Sequence, residues 1–269
     1  MSSTKILYVC QEIFPYLPET EQSLLCRKLA QAMQERGGEV RIFMPRFGCI
    51  NERRNQLHEV IRLSGMNLII NDNDHQLIIK VASIPSARVQ IYFIDNDDYF
   101  ARKAVLTDES GEPFADNDER ALFFARGVLE TVRKLRWTPT VVHCHGWFSA
   151  IMPIYLRKVF ADDPLFRDVK IVVSLYDDAF TQPLDGGFAE KIANEGVEDE
   201  NLKNLSTPSY ENLMRFVIDY ADGVVLASEG VNPEVAKYAE ASGKPLMRLD
   251  KEADEKQVFD NYKLFYEGL

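Results

Sequence analysis

Residues 141–159, VVHCHGWFSAIMPIYLRKV, decide the fold. The first five, VVHCH, form a short solid run of the kind that fills a strand buried on both faces. Gly146 interrupts it, and from Trp147 to Val159 the apolar positions recur at helical spacing. A buried strand delivered directly into a helix is half of a βαβ unit. Working outward, the same kind of run appears downstream at 170–175 (KIVVSL) and 223–228 (GVVLAS), and upstream at 5–10 (KILYVC), 39–44 (EVRIFM), 76–82 (QLIIKVA) and 89–94 (VQIYFI). Helical patterns fill the intervals at 22–36, closed by Gly37 and Gly38, at 117–134, at 211–221 and at 232–240. Alternation of this kind predicts an α/β fold: a Rossmann-like, doubly wound, mostly parallel sheet with right-handed crossovers, covered on both sides. Residues 59–94 lack a helical period and carry the polar turn Asn71-Asp72-Asn73-Asp74, which predicts an antiparallel hairpin beside the parallel set.

The composition narrows the function classes. In 269 residues, 46% are hydrophobic and 27% charged, and 31 Lys and Arg against 42 Asp and Glu give a formal charge of −11. No basic block interleaves with aromatics, so neither nucleic acid nor an anionic membrane surface is an expected partner. Cys10, Cys26, Cys49 and Cys144 are scattered without a C-x-x-C, which reads as reduced, mostly buried thiols and points to the cytoplasm. No export signal or membrane span is legible.

In an open α/β sheet, ligands bind outside the carboxyl ends of the strands, so the loops after Cys10, Met44, Ile94, His145, Leu175 and Ser228 are where chemistry is sought. No G-x-G-x-x-G and no Walker loop follows the first strand, and no cofactor is expected. Glu12, Glu19 and Glu21 cluster near the start of the first helix, where carboxylates favour the helix dipole and repel a pyrophosphate. His143 and His145 lie on one side of a strand end with Trp147 beside them. Ring faces and imidazole nitrogens suit a sugar, and the same pair fits core histidines. H-x-H offers two metal ligands with no third near in sequence, so no metal is expected. Residues 95–102 and 114–124 read as turns leading into helices, with Asp116 or Asn117 at the N-cap and Arg120 on the exposed face.

In order, these pieces resemble the amino-terminal half of bacterial glycogen synthases and plant starch synthases. The resemblance runs through KILYVCQEIFPY, GGEVRIFMPRFGCI, IYFIDNDDYFAR, FADNDERALFFARGVLE, VVHCHGWFSAIMPIYL and ENLMRFVIDYADGVVLAS. It implies a single half of a GT-B glycosyltransferase fold over residues 1–243, and in the family, glucosyl transfer from ADP-glucose to an α-1,4-glucan. By the same resemblance His145 falls on a substrate-contacting histidine, with His143 and Trp147 in the same motif. Asn212 falls on the asparagine of an N-x-x-K segment whose lysine is Arg215 here.

The departures matter as much. The family's K-T-G-G-L-A-D loop, which serves the nucleotide-sugar phosphates, is replaced by Pro18, Glu19, Thr20, Glu21, Gln22, Ser23 and Leu24. A proline donates no amide and Glu21 repels a diphosphate. T-[IV]-H-N becomes Ser174-Leu175-Tyr176-Asp177, and Gly146 stands where the family carries an aspartate. Nothing after Gly243 resembles the family's second Rossmann domain. Residues 244–269 read as a linker and an amphipathic helix, with Val258, Phe259, Tyr262, Phe265, Tyr266 and Leu269 at helical spacing, docking on the same domain as the counterpart of the family's crossover helix. These losses imply a non-catalytic or partner-dependent protein of glucan metabolism. Expected partners are an α-glucan or maltooligosaccharide, held by His145, Trp147, Tyr99 and Phe100, with ADP-glucose disfavoured, and a homodimer or a separate chain supplying the second domain. The alternative is an interaction or regulatory subunit that uses the bared inter-domain face and binds no sugar.

Overall fold

The computed structural model describes residues 4–84, 89–250 and 252–269. Lys251, in the stretch read as a linker, therefore lies outside the described residues, as do 1–3 and 85–88. The strands are β1 (Lys5–Cys10), β2 (Glu39–Pro45), β3 (His58–Glu59), β4 (Met66–Ile70), β5 (Asn73–Ile84), β6 (Val89–Asp95), β7 (Val141–His145), β8 (Lys170–Leu175), β9 (Gly223–Leu226) and β10 (Leu246–Arg248). The helices are α1 (Glu21–Glu35), α2 (Asp97–Phe100), α3 (Asn117–Leu135), α4 (Met152–Ile154), α5 (Phe188–Asn194), α6 (Tyr210–Tyr220), α7 (Pro233–Ala241) and α8 (Glu255–Glu267).

The sheet runs β10-β9-β8-β7-β1-β2-β6-β5-β3, with β4 paired to β5. Every neighbour from β10 to β6 is parallel, and β5 joins β6, β3 and β4 antiparallel. The expected hairpin is β4–β5, and Asn71 and Asp72 both take the positive φ that a tight two-residue hairpin turn requires. β1 lies between β2 and β7, so the strand order reverses there and the crevice falls outside Cys10 and His145.

Local chemistry accounts for the main helices. Thr20 caps α1 by accepting from Ser23 N, while Ser23 Oγ accepts from Thr20 N, a reciprocal capping box. Cys26, Leu29 and Met33 recur on the inner face of α1. On α3, an added Cβ at Gly127 would meet Ile94 and Leu77 side chains at 3.0 Å, so the glycine lets the helix lie close against the sheet. The pattern over 147–159 does not form one helix. It breaks into a 3₁₀ turn at Trp147–Ser149, the short α4 and a π-turn at Tyr155–Val159, because Pro153 in α4 cannot donate into a continuous ladder.

Arg120 departs from its expected exposed position. It is fully buried, because α3 turns that face onto the sheet. Its Nε donates to Tyr99 O at 2.8 Å and its Nη1 to Asn117 Oδ1 at 2.6 Å, with the rings of Phe47, Phe100, Phe114 and Phe148 around the guanidinium. Burial brings it down to about 10. Asp116 holds the N-cap position of α3, yet its carboxylate pairs with Arg102 and makes no cap bond. Residues 246–248, within the stretch read as a linker, form β10 on the sheet edge.

Candidate functional site

The parallel register sets Tyr8 beside His143 and Cys10 beside His145, and pairs His145 in turn with Ser174 on β8. Because side chains alternate across a strand, Tyr8, Cys10, His143, His145 and Ser174 all stand on one face of the sheet. α1 brings Cys26 to that face and α8 brings Tyr262 and Tyr266, all of them buried.

The result is a closed polar layer. Tyr266 Oη lies 2.6 Å from His143 Nδ1 and 3.2 Å from Tyr8 Oη. His143 Nε2 meets Ser174 Oγ at 2.7 Å. One neutral imidazole satisfies both of its contacts, accepting at one nitrogen and donating at the other. His145 Nδ1 meets Tyr176 Oη at 2.7 Å, and its Nε2 has no hydrogen-bond partner among the described residues. The two imidazole centroids are 3.9 Å apart, and both residues are 0% exposed. Burial, and then the neighbouring His145, hold His143 well below the usual histidine range. Burial pushes the Cys26 thiol up, but Cys10 and His145 beside it outweigh that and bring it down. Burial pushes Cys10 up. The Sγ atoms of Cys10 and Cys26 and a ring nitrogen of His145 lie within 4.8 Å of one another.

The loop after β1 closes the crevice from the other side. Gln11 N donates to His145 O at 3.1 Å, and Gln11 Oε1 accepts from Phe148 N at 3.2 Å. Gly146 has φ +80° and ψ 157°, a conformation reserved for glycine, and an added Cβ would stand 2.4 Å from Gln22 Nε2 and 3.0 Å from Gln11 Oε1. Two glutamine side chains thus occupy the space at the strand end. At the amino terminus of α1, Glu12 Oε1 accepts from Thr20 Oγ1 at 2.9 Å and Glu21 Oε2 accepts from Ser228 Oγ at 2.8 Å. Glu12 thus supports the cap residue Thr20, and Glu21 ties the helix start to the loop after β9. An opening of about 290 Å³ between α1 and α8 reaches the strand-end side at Ala227, with Leu24, Leu25, Leu249 and Phe259 in its walls and Glu21 among them.

The other candidates sit as follows. Trp147 is buried, its ring edge-on to Phe148 and Phe180, and its N donates to Asp178 Oδ2 at 2.8 Å. Tyr210 Oη donates to the other oxygen of Asp178, so this buried acid ties the Trp147 loop to α6. Burial raises Asp178 above the ordinary carboxylate range. Asn212 Nδ2 donates to Thr207 O, and Arg215 pairs with Glu234 at 3.5 Å and lies over Tyr238. Tyr99 and Phe100, expected as sugar platforms, are buried under α3, where Tyr99 Oη donates to Glu119 at 3.1 Å. Asp178 and Gln11 carry no motif signal, Gln22 and Tyr176 stand where the family's motifs are lost, and it is the topology that brings all four around the histidines.

A family model described as the starch synthase catalytic domain matches residues 5–247. The glycogen synthase of Chlorobium limicola is 38% identical over 174 residues, covering 64% of this chain and 36% of that protein. The glycogen synthase of Chlorobaculum parvum is 32% identical over 240 residues, covering 88% and 48%. The chain thus spans less than half the length of these relatives. Among solved structures, the catalytic domain of starch synthase IV from Arabidopsis thaliana, bound to ADP and acarbose, superposes with a TM-score of 0.68 at 16% identity, over 83% of this chain and 45% of that one. The mostly parallel sheet with its helices matches one part of that GT-B domain, and the chain belongs to the starch synthase catalytic-domain family of glycosyltransferases.

Proposed function

We propose that this chain works in α-glucan metabolism as a member of the family that does not by itself move a glucosyl residue from a nucleotide sugar, being either non-catalytic or dependent on a partner chain. One observation carries the reading: His145, on the family's substrate-contacting position, is 0% exposed, engaged by Tyr176 and roofed by its own loops. Glycosyl transfer from a nucleotide sugar depends on donors aimed at the charge that develops on the departing diphosphate. At the α1 amino terminus, where the family's lysine and glycine amides serve the nucleotide-sugar phosphates, stand Pro18, a Thr20 cap bonded to Glu12, and Glu21. Those groups remove attraction and add repulsion. The Arabidopsis relative carries ADP and acarbose, so the family's own ligands are the proper probes.

A second reading, an interaction subunit that binds no sugar, draws support from the aromatic residues. Trp147, Tyr99 and Phe100 offer no open ring face, and the strand-end opening is walled mainly by apolar side chains. We read α8 as the counterpart of the family's crossover helix. Both functional readings meet in one experiment, incorporation of labelled glucose from ADP-glucose or UDP-glucose into glycogen, with glycogen co-sedimentation in parallel. No incorporation with retention on glycogen supports the first reading, and neither supports the second. Incorporation that disappears in His145→Ala overturns both.

A further inference from the structure

We propose that Cys10, Cys26 and His145 form a buried binding site for one Zn²⁺-like metal ion. Three elements far apart in sequence supply the donors: the end of β1, the middle of α1 and the end of β7. Their ligand atoms lie within 4.8 Å of one another. In a site with zinc–sulfur bonds of about 2.3 Å and zinc–nitrogen bonds of about 2.0 Å, tetrahedral donors stand roughly 3.5–3.8 Å apart, so each pair closes by no more than about 1.3 Å.

The donor types select the ion. Two thiols and an imidazole without a carboxylate suit zinc or a softer cation and disfavour magnesium or calcium. The imidazole is also set for ligation. Tyr176 Oη holds His145 Nδ1 at 2.7 Å, which fixes the ring, and Nε2 is buried with no hydrogen-bond partner among the described residues. A ligating histidine is held in this way, its second nitrogen bonded to an outer partner. Charge balance agrees: a divalent cation with two thiolates and a neutral imidazole sums to zero, the state that a fully buried position tolerates. Binding replaces two S–H protons, which leave to solvent. Cys144 points to the opposite face of β7 and takes no part. The site rests on its own geometry and stands whether or not the chain transfers glucose. An ion there would withdraw His145 from any sugar.

The test uses the full chain, stripped with a chelator and reloaded with Co²⁺ as an optical probe, then with Zn²⁺. The expected result is one Co²⁺ per chain with strong near-ultraviolet thiolate-to-cobalt absorption, displaced by Zn²⁺ and unchanged in Cys144→Ala. Cys26→Val, checked for native circular dichroism, loses the band, and Tyr176→Phe weakens Zn²⁺ binding by about 10–100-fold. Zn²⁺ also raises the melting temperature of the stripped, unmodified chain, a readout that needs no variant to fold. Absence of the cobalt band or of Zn²⁺ stabilisation in the folded chain, a Cys10–Cys26 disulfide in place of metal, or an undiminished band in Cys26→Val would overturn the proposal.

Discussion

Replacing Tyr266 with Phe removes one oxygen from the layer between α8 and the sheet. That oxygen serves two fully buried partners, His143 Nδ1 at 2.6 Å and Tyr8 Oη at 3.2 Å. His143 keeps Ser174 through its other nitrogen, so the ring stays oriented and one nitrogen is orphaned. Tyr8 Oη loses the contact that holds it. A buried polar group left unsatisfied costs about 1–3 kcal/mol, so two of them put the expected loss at about 2–4 kcal/mol, since both survive as smaller, partly relaxed defects. For a chain of this size that is a fall in melting temperature of roughly 5–15 °C. Thermal and urea unfolding of Tyr266→Phe beside Leu264→Ala make the comparison, because Leu264 is on the same helix and 65% exposed. Leu264→Ala should stay within about 0.5 kcal/mol of the parent. A Tyr266→Phe chain as stable as Leu264→Ala would mean that this network does not hold α8.

Three further expectations concern the same region and the α3 face. Burial holds His143 neutral in the fold, whereas the unfolded chain takes a proton at about pH 6.5. The contribution of His143 is therefore complete above that pH and declines as pH falls, by up to about 1.4 kcal/mol per pH unit. The stability difference between the parent and His143→Phe should narrow between about pH 7 and 5, and a constant difference would contradict the assignment. Gly146→Ala should cost about 2–4 kcal/mol, combining a glycine-only backbone with a clash at Gln22 and Gln11, and a loss under about 0.5 kcal/mol in urea unfolding would refute the packing. Arg120→Ala should cost about 3–5 kcal/mol, because it empties an aromatic box and orphans Tyr99 O and Asn117 Oδ1; near-parental stability would place Arg120 back on the surface.

Much of the architecture is readable from local pattern. The runs at 5–10, 141–145 and 170–175 end where β1, β7 and β8 end, because a doubly covered strand is filled by apolar side chains and a few internally bonded polar ones until it leaves the sheet. Asn71-Asp72 announces its hairpin because few other residues tolerate positive φ. β10, with only three residues half-exposed on an edge, carries too little apolar signal to read. Arg120 misleads because helical spacing locates a face without saying which face meets the sheet, and charge argues for the wrong one. The His143–His145 pair is visible in sequence, but its surroundings are not. Tyr8, Cys10, Cys26, Tyr176 and Tyr266 converge on it only through strand order and the docking of α8, which bridges 123 residues from His143 to Tyr266. The same topology supplies the third donor that sequence spacing around H-x-H does not offer.

The most direct test of the central claim, that this member of the synthase family has filled its own donor crevice, is a calorimetric titration of the purified chain with ADP-glucose and with ADP. The expected result is no saturable heat from either ligand into the millimolar range, with Glu21→Gly and His145→Ala variants indistinguishable from the parent. Saturable binding at micromolar concentration, abolished by His145→Ala, would contradict it.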